Sequence, residues 1–484
     1  MNYVSSSFLL AASMAIPPLF AGTMTDIDTL GTSSYSARVS PDGSIVLGQF
    51  EINGQSHVFS WRAGVMTDLG GGSYAEPYAM TADGSVIVGE DNSNGQSHAF
   101  RWTSGVMTDL GGGSYSYAKG VSADGLVVIG QSDARAFRWA SGIMTDLGTF
   151  GGPYSDANAI SADGSVIVGT ANIANGNTRA FRWVSGAMTD LGTLGGDNSE
   201  ASRVTPDGSV VVGSANIANG NTHAFRWESG IMTDLGTLGG TLAGTNAVSA
   251  DGSVVVGLSY TAAGKSRAFR WTSGVMTDLG TLGGDTSNAH AVSADGSVVV
   301  GIADTASGES HAYRWKSGVM TDLGTLGGNS SYAHDVSADG SVVVGQATNA
   351  NGDSRAFIYS DRVMLDAQDW LGSVGGVYSM LSTSLDLSRA HLEGAHHRPL
   401  AELGRGKSYW ATGDVAGSSR SRDLITRSGE AGMTFEPWTN VLVGIGAGYG
   451  RQDQQLLNDG SATTFGQYLI GEIDFLLADG GIVS

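Results

Sequence analysis

An Asp-Gly dipeptide recurs through most of this chain, at Asp42, Asp83, Asp124, Asp163, Asp207, Asp251, Asp295 and Asp339. The intervals are 41, 41, 39, 44, 44, 44 and 44 residues. A fixed period in the forties restricts the fold to architectures in which one supersecondary unit stacks on its own copies. One unit, from Asn288 to Gly328, reads NAHAVSADGSVVVGIADTASGESHAYRWKSGVMTDLGTLGG. It holds four short apolar runs separated by turn signals. Asp295-Gly296 predicts a two-residue hairpin, because Gly accepts φ > 0 without strain. The Val-Val-Val run after it suits a strand buried on both faces. His311–Trp315 forms the third run, Ser317-Gly318 a second hairpin signal, and Val319–Leu323 the fourth run.

Four antiparallel strands of about five residues make one propeller blade, and a blade must stack to bury its faces. A parallel β-helix is the rival fold, but it needs shorter coils and few hairpins. Two hairpin signals per unit favour the propeller. The predicted fold class is therefore all-β: an eight-bladed β-propeller of 39–44-residue repeats, then a linker helix and a partial antiparallel β-barrel. An extra copy of the fourth strand at Thr23–Asp28 is expected to lie on the edge of the last blade and close the ring, which removes an open strand edge.

The flanks differ from the repeats. Residues 1–22 contain an apolar run, Phe8–Phe20, with no Lys or Arg ahead of it. They are expected to be a signal segment lacking the usual positive start; a cytoplasmic leader or a frayed strand is the alternative. Residues 367–399 show helical spacing at Leu371, Val374, Tyr378, Leu381, Leu385 and Leu392, with the helix starting near Val377 and GAHHRP ending it. Residues 400–484 change to a period of two. Val441, Val443, Ile445, Ala447 and Tyr449 alternate with glycines, the pattern of transmembrane β-barrel strands. Four such runs lie near 408–416, 424–436, 439–451 and 463–477, and a fifth begins at the end. Four strands do not close a spanning barrel. A small soluble sheet is the alternative reading.

Composition narrows the function classes. The chain has no cysteine, hence no disulfides, thiolate metal site or thiol nucleophile. The formal net charge is −21, and residues 1–362 carry 32 Asp and Glu against 17 Lys and Arg. That excess argues against nucleic acid and anionic membrane surfaces as partners. No phosphate-binding loop, HExxH or G-x-S-x-G motif occurs.

His98-Ala99-Phe100, His223-Ala224-Phe225 and His311-Ala312-Tyr313, each followed by Arg-Trp and then MTDLG, resemble the HAF-type extracellular repeat of bacterial surface proteins. The tail segments EGAHHRPL, KSYWATGD and GIGAGYG resemble the start of an autotransporter outer-membrane barrel. The resemblance implies an exported passenger presented by a barrel. Autotransporter barrels have about twelve strands and end on an aromatic residue, whereas this chain ends on Ser484, so the implied translocator is truncated. Its implied location is the outer membrane or cell surface, with the periplasm as the alternative. The family resemblance carries no known biochemical activity.

Residues repeated in every unit are assigned to the blades. The turn aspartates hold hairpins, and the Trp row fills the gaps between blades. His57, His98, Arg135, Arg179, His223, Arg267, His311 and Arg355 share one position. Arg does not ligate metal, so the expectation is an ion pair to a turn or MTD aspartate, with no metal and no cofactor. Sites are then sought where units differ. Tyr35, Tyr74, Tyr115, Tyr117, Tyr154 and Tyr332 fall in the link before the first strand of five units that a closed ring would make consecutive. They are either packing residues under the loops or an aromatic binding arc. The expected function is a non-enzymatic surface binding or adhesion module for a host protein, a glycan or another cell. The alternatives are a polysaccharide hydrolase with channel carboxylates, and a structural spacer. Buried carboxylates in the channel favour the hydrolase; an exposed tyrosine face without them favours binding.

Overall fold

The computed structural model describes residues 22–28, 30–92 and 95–360, together with the backbone of five further strands between 408 and 483. Residues 1–21 of the expected signal segment, 1–22, and the expected linker helix lie outside the described residues. Two compact units divide at Ser373 and Val374.

In the first unit each of the first seven sequence repeats gives four antiparallel strands paired in chain order, the eighth gives three among the described residues, and the described residues contain strands and no helix. Repeat 7 is representative: Gly283–Val292, Val298–Thr305, Ser310–Lys316 and Val319–Asp322. Its first three strands are seven to ten residues long, longer than the expected five. Units 5 and 6 are also joined by one parallel pair, Thr222 with Leu242. The first strands of successive sheets contact one another, and that of the last sheet contacts that of the first. The first strands therefore form an inner wall, and the architecture is propeller-like.

The two hairpins of a unit differ. At Ser317-Gly318 both residues have positive φ, 51° and 87°, as a two-residue type I′ turn requires. The Asp-Gly hairpin is not of that type. Gly296 has φ 72° but Asp295 does not share it, and Gly296 N–H donates to Ser293 O at 2.9 Å. This is a type I turn inside a four-residue loop, with Gly beyond its two central residues. Asp295 contributes as an acceptor: it takes Ser293 Oγ at 2.6 Å and Ser297 N at 2.9 Å. The expected two-residue geometry is thus corrected, because the Asp side chain substitutes for a backbone turn bond.

The first four residues of every second strand are buried; Val298, Val299 and Val300 are all 0% exposed. The core lies between sheets. Val298, Val300 and Ala312 of unit 7 pack with Val343, Ala347 and Phe357 of unit 8. Val342, Val344 and Ile358 of unit 8 pack in turn with Val46, Phe50 and Phe59 of unit 1. Each of these Val, Ile and Phe side chains contributes roughly 1.5–3 kcal/mol of burial free energy. One glycine per second strand is required sterically: a Cβ on Gly301 would stand 2.0 Å from Asn288 O.

Polar stitches run in the same direction from unit to unit. Ser287 Oγ accepts from Ala268 N at 2.9 Å, and Ser331 Oγ from Ala312 N at 2.8 Å. Across the closure, Ser34 Oγ accepts from Ala356 N at 2.9 Å, and Pro41 O from Ala338 N at 2.9 Å. Thr23–Asp26 pairs antiparallel with Ser354–Ser360 and supplies the outer strand of the last sheet. Arg182 and Arg270 stack over Trp227 and Trp315 of the next unit, at 5.8 and 5.9 Å from the ring centroids.

In the second unit, Ser408–Ser418, Leu424–Trp438, Val441–Gln455, Ser461–Leu476 and Ile482–Val483 form one antiparallel sheet in chain order.

Candidate functional site

Every first strand carries a bulge at one place, which fixes the alignment of units. In unit 7 Ala289 pairs with Gly301 and Ala291 with Val300, so His290 is the extra residue. Bulges re-aim side chains and are common beside functional sites. Reading equivalent positions around the inner wall gives rows of side chains that the repeat does not conserve. The row at Asn288 contains Tyr35, Glu76, Tyr117, Asp156, Glu200, Gly244 and Tyr332. Two residues earlier, on the same side of the strand, stand Tyr74, Tyr115 and Tyr154.

The six tyrosines thus belong to two rows, not to one link. Tyr35, Tyr117, Tyr154 and Tyr332 lie within first strands, and Tyr74 and Tyr115 just ahead of them. The placement in links is corrected for those four, since pairing with the second strand extends further back than hydrophobicity signals. Tyr74 and Tyr115 are 38% and 42% exposed; the other four are half-buried.

Five of the six gather around three carboxylates that the sequence reading missed. Tyr74 and Tyr78 donate to Glu76, Tyr78 at 3.1 Å. Glu90 lies directly across the strand pair from Glu76. It is reached by Tyr78 at 3.3 Å, by Tyr115 of the next unit at 3.4 Å, and by Ser97. Asp156 accepts Tyr117 at 3.2 Å and Lys119 at 2.5 Å. Tyr35 and Tyr154 lie beside Glu76 and Asp156 respectively. Tyr115 and Tyr117 meet edge to face at 5.6 Å, and Lys119 sits 5.2 Å over the Tyr117 ring. Tyr332 holds the equivalent place in the last unit and makes none of these hydroxyl contacts.

The electrostatics follow from crowding. Desolvation, then the neighbouring carboxylates, push the phenols of Tyr35, Tyr78 and Tyr117 well above the usual tyrosine range. They remain neutral donors at any physiological pH. Desolvation in the channel also raises Glu200; Lys119 opposes this and Asp156 adds to it. Several acceptors on these rows have no donor among the described residues. Asp156 Oδ1 is one, on a side chain only 9% exposed; Thr170 Oγ1, across the pair from Asp156, and Gln49 Oε1, across from Tyr35, are others. Buried acceptors without donors are uncommon in folded proteins and mark places where a ligand or water supplies the hydrogen.

The next row forms a girdle. Asn158 donates to Ala201 O at 2.9 Å, Asn246 to Ala289 O at 2.8 Å and His290 Nδ1 to Ala333 O at 2.8 Å, each reaching the following unit. His290 stacks on His334 at 6.2 Å. Desolvation, then His290 and Arg38, bring His334 down to about 4.

The His/Arg row faces elsewhere and pairs with MTD aspartates, as in His223 with Asp234 and His311 with Asp322, each at 2.9 Å. Arg135 pairs with Asp146 at 3.1 Å, while Arg355 takes Asp28 at 3.0 Å. These positions are structural pairs repeated around the molecule. Glu76, Glu90 and Asp156 were recoverable from sequence only by aligning first strands position by position and asking which columns vary.

No protein-family model and no curated protein matches the chain. Among solved structures it is similar to TolB from Acinetobacter baumannii, at 16% identity and a TM-score of 0.34, over 63% of this chain and 63% of that one. It is similar to the β-propeller domain of the Trilobed protease from Pyrococcus furiosus, at 11% identity and a TM-score of 0.40, over 60% of this chain and 98% of that one. It is also similar to an acylaminoacyl peptidase from Pyrococcus horikoshii, at 10% identity and a TM-score of 0.40, over 84% of this chain and 59% of that one. The propeller-like architecture rests on the strand order and closure described above rather than on these likenesses.

Proposed function

We propose that residues 23–366 are an eight-bladed propeller passenger of an exported bacterial surface protein, and that this propeller is a carbohydrate-binding adhesion module. Residues 367–399 act as the linker and 400–484 as strands of an autotransporter-type barrel. The observation that carries the binding reading is the arc of tyrosines interleaved with Glu76 and Asp156 on the inner wall of units 1 to 4, with Glu90 on the second strand beside Glu76. Sugars present apolar C–H faces to aromatic rings and paired hydroxyls to carboxylates. The arc offers both, with the rings of Tyr74 and Tyr115 exposed beside the carboxylates. The test is a glycan array probed with the full-length protein. Binding to a defined set of oligosaccharides is expected; no binding to any glycan contradicts the reading.

Buried carboxylates were the expected mark of a polysaccharide hydrolase, and Glu90 and Asp156 are buried; they are held by Tyr78, Ser97 and Tyr115 and by Tyr117 and Lys119, so hydrolysis stands as the second reading. Glu76 and Glu90 flank a single hydroxyl, and glycosidases act through two carboxyl groups, about 5 Å apart in retaining enzymes. Release of reducing ends from a bound polysaccharide, abolished in Glu90→Gln, would support that reading.

A further inference from the structure

Arg38 and Arg203 hold the same position on the first strands of units 1 and 5, one residue past the bulge. In a closed circuit of eight units these are opposite. The equivalent residues between them are Ala79, Gly120, Ala159, Ala247 and Ala291, all small, and Asp335 in unit 8. Two guanidinium groups and one carboxylate thus share this level, with a net charge of +1 inside a chain whose formal net charge is −21. The Asp335 carboxylate is already engaged. Its Oδ2 accepts Val39 N at 3.1 Å and its Oδ1 accepts Val336 N at 2.9 Å. Arg203 is exposed to water in the channel yet surrounded by protein, and its one hydrogen bond among the described residues is to Ser202 O at 2.8 Å.

We propose that this level of the channel is an anion site, in which a carboxylate is held between Arg38 and Arg203. A planar carboxylate matches the guanidinium fork, and its single negative charge offsets the single excess positive charge. Desolvation and the proximity of Arg38 lower Arg203 to about 10, so it stays charged at neutral pH. The carboxylate comes from a free organic acid or from an acidic sugar. The site lies three residues beyond Tyr35 on the same strand, and Tyr35 stands 6.4 Å from His334; acetate, which presents no sugar face, therefore tests this site separately from the carbohydrate reading.

His334 reports on the site, because Arg38 is one of the groups that hold it in the neutral form. Full-length protein with labelled histidine is titrated with sodium acetate, sodium glucuronate and sodium phosphate at fixed ionic strength, and ring C–H resonances are followed by NMR. Acetate or glucuronate should shift His334 saturably and raise its pKa. Arg203→Gln should weaken the response about tenfold, whereas Lys265→Gln, which removes an exposed cation paired with Asp285, should leave it unchanged. Should Arg203→Gln fail to fold, Arg203→Lys keeps the charge, loses the fork and should weaken binding severalfold. Glucuronate binding far more tightly than acetate assigns the carboxylate to a sugar, and equal binding assigns it to a free acid; each supports the site. Phosphate binding more tightly than both carboxylates overturns the proposal. So does the lack of a saturable shift, or a shift undiminished without Arg203.

Discussion

Glu76 and Glu90 face each other across paired strands, and the Tyr78 hydroxyl stands within 3.3 Å of a carboxylate oxygen of each. A hydroxyl has one proton to donate. Like charges directly opposite on a sheet destabilise it, so this pair weakens the blade it belongs to. Such local conflicts are expected at functional sites.

Glu90→Gln should therefore stabilise the protein, by about 0.5 kcal/mol, while reducing carbohydrate binding. Thermal melts at pH 7 and array binding of the same preparation check this. A loss of stability would mean the Glu90 carboxylate is needed by Tyr115 and Ser97 more than it is repelled by Glu76.

Closure depends on the N-terminal strand. Ile27 is 3% exposed and packs with Val46, Phe50 and Ile358. Ile27→Asp places an unpaired carboxylate there and should cost about 3 kcal/mol. Deleting residues 1–30 should also expose the edge of Ser354–Ser360 and cause self-association. Melting and size-exclusion elution would show it, and an unchanged melting temperature with a monomeric profile would contradict it.

Acid should destabilise the protein in two windows. His334 has its pKa lowered to about 4 in the folded state, so the unfolded chain binds the proton first as pH falls from about 6.5. That destabilisation grows down to pH 4, and His334→Gln should remove its share. The turn aspartates Asp42, Asp83, Asp163 and Asp251 are lowered to about 2 by bonds from neighbouring Ser or Thr hydroxyls and backbone N–H groups. Their contribution is present above the ordinary aspartate range and is lost between pH 4 and pH 2. Melts of wild type and His334→Gln from pH 8 to pH 2 separate the windows. Parallel curves between pH 7 and pH 4 would refute the histidine assignment.

The repeat made the meander and its stacking legible, because a unit whose Val298–Val300 run is buried on both faces needs a neighbour on each side. Ser317-Gly318 was legible as a turn, since the geometry is local. Asp295-Gly296 was legible as a turn but not as a type, because a side-chain acceptor sets it. Tyr35 and Tyr74 looked equivalent in sequence and are two residues apart in register. Glu76, Glu90 and Asp156 were hidden among many acidic residues; strand pairing and the bulge select them. Arg38 and Arg203 are 165 positions apart and become opposed only through ring closure.

The tyrosine arc is the central claim, and Tyr74 and Tyr115 test it best because they are its most exposed members. The measurement is glycan-array binding of full-length wild type beside the Tyr74→Ser/Tyr115→Ser double variant, with thermal melts of both. The account predicts at least tenfold weaker binding by the variant and a melting temperature within about 2 °C of wild type. A variant that melts several degrees lower yet binds the same glycans equally well would contradict it and make these tyrosines packing residues.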